Sequence, residues 1–331
     1  MALSCSNEQC LIGETGICFK TGEQRPCENA IGIESEIERL ANPSVLNGGD
    51  ASERLSIYPG IELGLEDVSK LLNEGSGFLV GILGDVDAGK TCFINALYLL
   101  FSSGAAECHN LAFGGSFTLL GFEDRVRGAR RWEAGRMPDR MSVHTNVADA
   151  RSAGFMHLDV FRVDEPSRAS LILSDLPGEW TTQLIHNARH SDRFEFLKRA
   201  DATIIMIEAS NLVDPTIRHS ELERQKTLID RLVPLTAKGR PLLIVVTKAD
   251  EIDLQQPELL KELVAHAVHS GFVVSSQLIS SFSSNAAIPS GSGVLEVVGT
   301  LLACTQPKPP SEEPLGERLF GWLPIAQGSM Q

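Results

Sequence analysis

Aromatic residues make up only 6% of the 331 residues, and positive charge is scarce, with 29 Lys and Arg against 43 Asp and Glu for a net −14. A general nucleic-acid binder or an anionic-membrane protein needs a positive surface, and a base-stacking platform needs rings. The composition argues against all three. No apolar run approaches the about 18 residues of a membrane span. Ala202–Ile207 and Leu242–Val246 have the length of strands. The opening MALSCSNEQC has neither the basic region nor the apolar core of a secretory leader. These absences predict a soluble, cytoplasmic protein with no membrane span and no direct nucleic-acid partner.

The 43% hydrophobic and 22% charged content that remains is that of a globular domain with extras. Charge is uneven. Residues 1–74 hold five Lys/Arg against thirteen Asp/Glu, while Gly121–Arg151 holds seven arginines against five carboxylates. The arginine cluster reads either as a solvated helix face or as a contact surface. Cysteine is uneven too. Cys5, Cys10, Cys18 and Cys27 crowd the front, separated by four, seven and eight residues, and Cys92, Cys108 and Cys304 are scattered. In a cytosolic chain four clustered thiols favour Zn²⁺, because thiolate ligation can hold a short segment that has no core. Free thiols and disulfides remain the alternatives, since only the first gap has the usual zinc-knuckle length.

The order of patterns predicts residues 1–30 as a Cys-rich module and 31–75 as an acidic linker with an amphipathic helix from Leu65 to Leu72. Residues 76–305 form the main domain, and 306–331 a Pro-rich tail. In the tail, Leu319, Phe320, Trp322 and Leu323 either pack back or dock on a partner. From Phe78 onward apolar strands alternate with helices, the pattern of an α/β fold with a mostly parallel sheet flanked by helices. Strands are expected at 78–83, 157–163, 170–175, 202–208, 242–247 and about 277–280. Helices are expected to begin near Lys90, Asp192, His219, Pro257 and Val294.

The first expected strand runs into Gly84-Asp85-Val86-Asp87-Ala88-Gly89-Lys90-Thr91, followed by Cys92 and an apolar helix. This is G-x-x-x-x-G-K-[ST] in its strand–loop–helix setting. Its glycines let backbone N–H groups turn toward phosphates, and the helix N-terminus adds the positive end of a dipole. Lys90 is placed to neutralise the β- and γ-phosphates and the Thr91 hydroxyl to ligate Mg²⁺. Downstream, the strand Leu171–Ser174 ends in Asp175-Leu176-Pro177-Gly178. Asp175 can hold Mg²⁺ through water, and the Gly178 N–H can bond a γ-phosphate oxygen. A third apolar strand ends in Thr247-Lys248-Ala249-Asp250. A carboxylate at Asp250 accepts from both N1–H and the N2 amine of guanine, a donor pair that adenine lacks, while the Lys248 stem lies along the base.

In order and spacing these three elements resemble those of the translation-factor-related (TRAFAC) class of P-loop GTPases over about residues 76–303. GDVDAGKT is similar to the phosphate loop of translational GTPases. SFTLLGFEDR, SDLPGEW and the Cys-rich front end are similar to bacterial GTPase-domain proteins encoded among NTP-dependent conflict or defence systems. The resemblance implies a three-layer P-loop NTPase fold, bound GTP or GDP with Mg²⁺, and a switch threonine between the first two motifs. That interval spans 84 positions from Thr91 to Asp175. Thr145 is the choice for the Mg²⁺-binding switch residue and Thr118 the alternative. The extra length, about residues 100–150, contains the arginine-rich helix expected at Glu123–Arg136, suited to presenting nucleotide state to a protein effector or activator. The Cys-rich module and the tail are further candidate contact surfaces.

Glu179 stands where Ras-like proteins have a water-orienting glutamine. A carboxylate there is repelled by the γ-phosphate, so slow hydrolysis is expected, aided by a partner or by Arg125, Arg127, Arg130 or Arg131. Trp180 is a candidate switch contact. Asp87 either bonds its own loop amides or helps to hold K⁺ or Na⁺. Ser280-Ser281-Phe282 is proposed as the last guanine-contact loop, with Ser275-Ser276 as the alternative. His186 and His190 read as an exposed helical face. The leading function is a GTP-hydrolysing molecular switch. The alternative is an adaptor carrying a structural nucleotide, and an ATP-dependent enzyme is disfavoured by Asp250.

Overall fold

The computed structural model describes residues 4–5, 30–31, 60–75, 77–131, 153–164, 167–252, 258–283 and 285–304. The chain divides into two compact units, Met1–Ile57 and Tyr58–Gln331. In the first, strand β1 (Ser4–Cys5) pairs antiparallel with β2 (Ala30–Ile31). The Cys5 backbone therefore lies in a ladder opposite Ala30, whereas Cys10, Cys18 and Cys27 lie outside the described residues.

The second unit is built on a seven-stranded sheet among the described residues. Its strands are β3 (Phe78–Leu83), β4 (Leu111–Gly115), β5 (Gly154–Arg162), β6 (Ser167–Asp175), β7 (Ala202–Glu208), β8 (Pro241–Thr247) and β9 (Val273–Leu278). They lie in the order β4-β5-β6-β3-β7-β8-β9. β6, β3, β7, β8 and β9 are mutually parallel, and β5 and β4 continue the sheet antiparallel. The phosphate-loop strand β3 is thus central, between the strand carrying Asp175 and β7.

The parallel strands are near-continuous apolar runs because helices cover both faces. On one face pack α1 (Leu65–Asn73), α4 (Gly178–His186), α6 (Arg218–Leu232) and α7 (Glu258–His269), with Leu79 and Leu83 of β3 beneath them. Opposite pack α2 (Lys90–Ser102), α3 (Leu119–Val126) and α8 (Val294–Cys304), over Val80 and Ile82. Phe93, Ile94 and Leu97 of α2 are essentially fully buried. Each such side chain contributes about 1.5–3 kcal/mol, which fixes the helix directly behind the loop it follows. A short helix, α5 (Ala209–Val213), leaves β7.

Several expected boundaries moved. The helix expected near Asp192 starts at Gly178, because Trp180, Leu184 and Ile185 supply its buried face; Asp192 sits in a 3₁₀ run, Ala188–Lys198. β9 begins four residues before its expected start, because the exposed Val273 and the polar Ser275–Gln277 of this end strand give little apolar signal. β4 was not expected, since Gly114 and Gly115 interrupt its apolar residues, and its pairing with β5 is irregular there. In the insertion the α-helix is Leu119–Val126, followed by a 3₁₀ turn at Ala129–Arg131, in place of the expected Glu123–Arg136. Phe122 and Val126 are its buried anchors and no comparable apolar pair follows them. Residues 132–136 are outside the described residues.

Candidate functional site

β3 delivers the chain to Gly84, and α2 begins at Lys90 with Gly89 as its N-cap at φ 82°, left-handed backbone that glycine adopts without strain. Asp87 takes the same region at φ 61° and is exposed. The amides opening the 13-residue helix α2 have no partner from a preceding turn, as at any helix start. Lys90 is buried, and its Nζ donates to Gly84 O at 2.8 Å and Asp85 O at 2.7 Å. Burial pushes its amine below the usual lysine range, opposed by Asp175, Asp85, Glu179 and Asp87.

β6 ends at Asp175, beside β3, so its carboxylate arrives next to the start of α2. Thr91 Oγ1 donates to Asp175 Oδ1 at 3.3 Å. The other oxygen, Oδ2, is buried with no hydrogen-bond partner and faces Arg125 Nε at 3.4 Å. Burial raises the Asp175 carboxyl, and Arg125, Thr91 and Lys90 oppose that rise. A hydroxyl and a buried carboxylate with a spare oxygen are hard donors suited to Mg²⁺. Among the described residues no group of three or more His, Cys, Asp or Glu side chains is arranged to hold a metal ion. Such sparse protein ligation suits an ion that also takes phosphate oxygens and water.

The turn after Asp175 packs on the phosphate loop through one face of α4. A Cβ on Gly178 would lie 2.6 Å from Val86 Cα and closer still to Val86 N, so only glycine fits. One turn on, Thr181 Oγ1 accepts from Gly84 N at 3.3 Å, and Thr182 Oγ1 donates to Asp85 Oδ1 at 2.9 Å. Arg224 of α6 completes the contact. Its Nε donates to Asp85 Oδ2 at 2.8 Å, and its Nη2 reaches both Asp85 Oδ1 and, at 3.2 Å, Thr182 Oγ1.

The third motif meets the same loop from β8. Thr247 Oγ1 is buried and donates to Ala88 O at 3.1 Å. Lys248 adopts φ 54° and its Nζ pairs with Glu208 Oε2 at 3.0 Å. Asp250 is buried in the 3₁₀ turn Ala249–Glu251. Ala249 N donates to Ile279 O at 3.1 Å, which sets the loop after β9 against the Asp250 turn. Gly291 N in turn bonds Ser280 O and Ser281 O, fixing the Ser280–Phe282 loop. The D-x-x-G and T-K-x-D motifs, distant in sequence, therefore converge on the phosphate loop.

A family model described as Double-GTPase 2 matches residues 78–302, more than half of the chain and all three motifs. The chain belongs to this family. No curated protein matches it. Among solved structures it is similar to a mutation variant of SsGBP, at 14% identity and TM-score 0.34, over 72% of this chain and 60% of that one. It is likewise similar to a GTP-binding protein from the hyperthermophilic archaeon Sulfolobus solfataricus in complex with GDP, at 14% identity and TM-score 0.34, over 72% of this chain and 55% of that one. The chain thus spans less than two thirds of the length of these structures.

Within this Double-GTPase 2 domain, Gly84–Cys92, Asp175, Gly178, Thr247, Lys248 and Asp250 lie on adjacent strand ends and loops of the sheet. Thr145 lies outside the described residues. Its alternative, Thr118, is buried where its Oγ1 accepts from His157 N at 2.9 Å, which ties it to β5. Ser275 and Ser276 pair with Leu243 and Ile244 inside β9, so of the two serine pairs Ser280-Ser281 is the one in a loop. Glu179 is exposed on the first turn of α4. Trp180 is a core residue and not a surface contact, stacked under Arg193 and edge-on to Phe194. Arg127 and Arg130 pair outward with Asp124 and Glu123, and Arg125 alone of the described candidate side chains reaches Asp175. The Asp85–Thr182–Arg224 contact was not foreseen. Its only trace in sequence was a carboxylate at the second loop position.

Proposed function

We propose that this domain binds GTP with Mg²⁺ and hydrolyses it slowly, as a molecular switch read by protein partners. The observation that carries this reading is the convergence on one phosphate loop of Thr91–Asp175, Gly178 and Thr247. Lys90 holds phosphate charge, and the loop amides and the α2 N-terminus orient the phosphates. Mg²⁺, when bound by Thr91 and Asp175, supplies charge neutralisation across the β- and γ-phosphates. Gly178 N–H and Thr145 sense the γ-phosphate, Asp250 selects guanine with Lys248 along the base, and Ser281-Phe282 close over it. Glu179 is an exposed carboxylate at the position that should orient water, which keeps turnover low until a partner acts. The resemblance to conflict-system GTPases supports a place in a bacterial defence system. Cys5, Cys10, Cys18 and Cys27 are proposed to hold Zn²⁺, and Asp87 to favour K⁺ or Na⁺.

The test is multiple-turnover phosphate release from GTP or ATP with Mg²⁺, with Lys90→Ala and Asp250→Asn as controls. GTP-selective release lost in both variants is expected. Bound nucleotide that stays unhydrolysed would instead support the adaptor reading, which Glu179 favours. Metal analysis of the purified chain tests Zn²⁺, and equal rates in potassium, sodium and choline salts would discard the monovalent-cation role.

A further inference from the structure

The segment before α1 and the insertion helix α3 form one connected assembly that ends on Asp175. Leu63 forms an isolated antiparallel bridge with Phe155 of β5, N to O at 2.9 and 3.0 Å. Gly121 N in α3 donates to Gly60 O at 3.1 Å, and the two backbones touch so closely that a Cβ on Gly121 would lie 2.7 Å from Ile61 C. The strap Gly60–Gly64 is therefore held between β5 and α3. At its centre Glu62 accepts from Arg125 Nη2 at 3.2 Å. The same guanidinium donates Nη1 to Gly121 O at 3.4 Å and faces Asp175 with Nε at 3.4 Å. All three arginine nitrogens are engaged, one on the strap, one on the helix and one on the switch carboxylate.

α3 is itself pinned to β5 by the residues before it. Ser116 Oγ donates to His157 O at 2.6 Å, and Phe117 N donates to His157 Nδ1 at 3.0 Å. Thr118 Oγ1 accepts from His157 N at 2.9 Å. The base of the helix is fixed, so movement of Arg125 is taken up at the strap end.

We propose that Arg125 couples cation occupancy at Asp175 to docking of the Gly60–Gly64 strap, making the strap the element through which nucleotide state leaves the domain. This rests on the GTP and Mg²⁺ reading of the site. Asp175 Oδ2 faces one guanidinium, and a divalent cation arriving beside it repels that positive charge. Arg125 then shifts its weight to Glu62, which already holds another of its nitrogens. Binding at Asp175 and strap docking are linked equilibria, and each must alter the other by the same factor.

The two ends of the relay have opposite effects on Mg²⁺. Arg125→Gln removes the competitor at Asp175, and Glu62→Gln removes the group that draws the competitor away. In Mg²⁺ titrations of fluorescent GDP binding to the full chain, half-saturating Mg²⁺ is expected to fall about fivefold in Arg125→Gln and to rise about fivefold in Glu62→Gln. Arg125→Lys, which keeps the charge, should stay near wild type in sign and size. Hydrogen exchange supplies a readout free of nucleotide. The Leu63 and Gly121 amides should exchange faster in Arg125→Gln than in wild type, with α7 unchanged as a check on folding. Adding Mg²⁺ and GDP should change their exchange in wild type and not in Arg125→Gln. Shifts of the same sign in both variants, or strap amides indifferent to Mg²⁺ and to Arg125, would overturn the coupling while leaving the GTPase reading intact. A chain that binds no guanine nucleotide would sink both.

Discussion

Arg224 reaches from α6 to both carboxylate oxygens of Asp85, the second residue of the phosphate loop, and its Nη2 also touches Thr182 of α4. The phosphate loop, α4 and α6 are thereby joined at one carboxylate. Asp85 thus faces its structural neighbours, although its place in the motif suggests a phosphate contact.

That junction should behave as a unit. Arg224→Ala and Thr182→Val are each expected to cost about 1–2 kcal/mol of stability, since the groups are partly exposed and the bonds charge-assisted. The double variant should cost clearly less than the sum, because both changes break the same contact. Urea unfolding of the four-member cycle measures this, and strict additivity would show that the two residues act separately.

Gly178→Ala should abolish productive GTP binding while sparing the fold. The added methyl meets loop backbone at Val86, which cannot swing aside as a side chain can. Either α4 or the loop must retreat. GTP turnover at least about 100-fold down is expected, as for loss of a positioned transition-state donor. GDP affinity should fall much less. Single-turnover kinetics beside GDP titration separate the two, and normal turnover would show that the turn does not stay packed on the loop during catalysis.

Asp250→Asn should erase the preference for guanine. A carboxylate that takes two donors from one base edge discriminates by up to about 10⁴-fold or more against a base lacking them. The variant's GTP-to-ATP affinity ratio, read by competition against fluorescent GDP, should collapse by at least about 100-fold. An unchanged ratio would move base selection to the Ser280–Phe282 loop.

His157 makes stability depend on acidity. Its ring is fully buried with Nδ1 accepting from Phe117 N, so Nε2 carries the hydrogen and meets Ser170 Oγ at 2.7 Å. Burial lowers its pKa from 6.5 to about 4, with Asp159 raising it and Arg168 lowering it. The unfolded chain therefore binds the proton more readily than the folded one. Stability is full above the unfolded pKa of 6.5 and is lost as pH falls from there toward 4, by up to about 3 kcal/mol. Denaturant midpoints measured across that window should fall in wild type and flatten in His157→Gln. A flat wild-type profile would contradict the buried neutral ring.

The central strands were legible because each is an apolar run long enough to be covered on both faces and ends in a polar motif. β3 and β7 begin and end where the sequence places them. The periphery was not legible, for a physical reason. β9 is an end strand whose exposed positions are free to be polar, and β4 has glycines where a strand signal would stand. The motif residues could be placed at strand ends and loops from sequence, because each motif directly follows an apolar strand. Arg125 at Asp175 and Arg224 at Asp85 could not be named. Sequence separations of 50 and 139 residues hide such pairs, since any of many arginines would satisfy the same local pattern.

The bond from Thr247 to Ala88 has a consequence for how a nucleotide is gripped. It fastens the strand that leads to Asp250 to the phosphate loop before any ligand arrives, so the span between the loop and Asp250 is set in advance. A molecule long enough to bridge that span engages its second end at high effective concentration, without a further loss of freedom. Guanosine alone and pyrophosphate alone each engage one half and miss that advantage. Their separate binding energies should therefore sum to less than that of the intact nucleotide, and cutting the bond with Thr247→Val should narrow the gap.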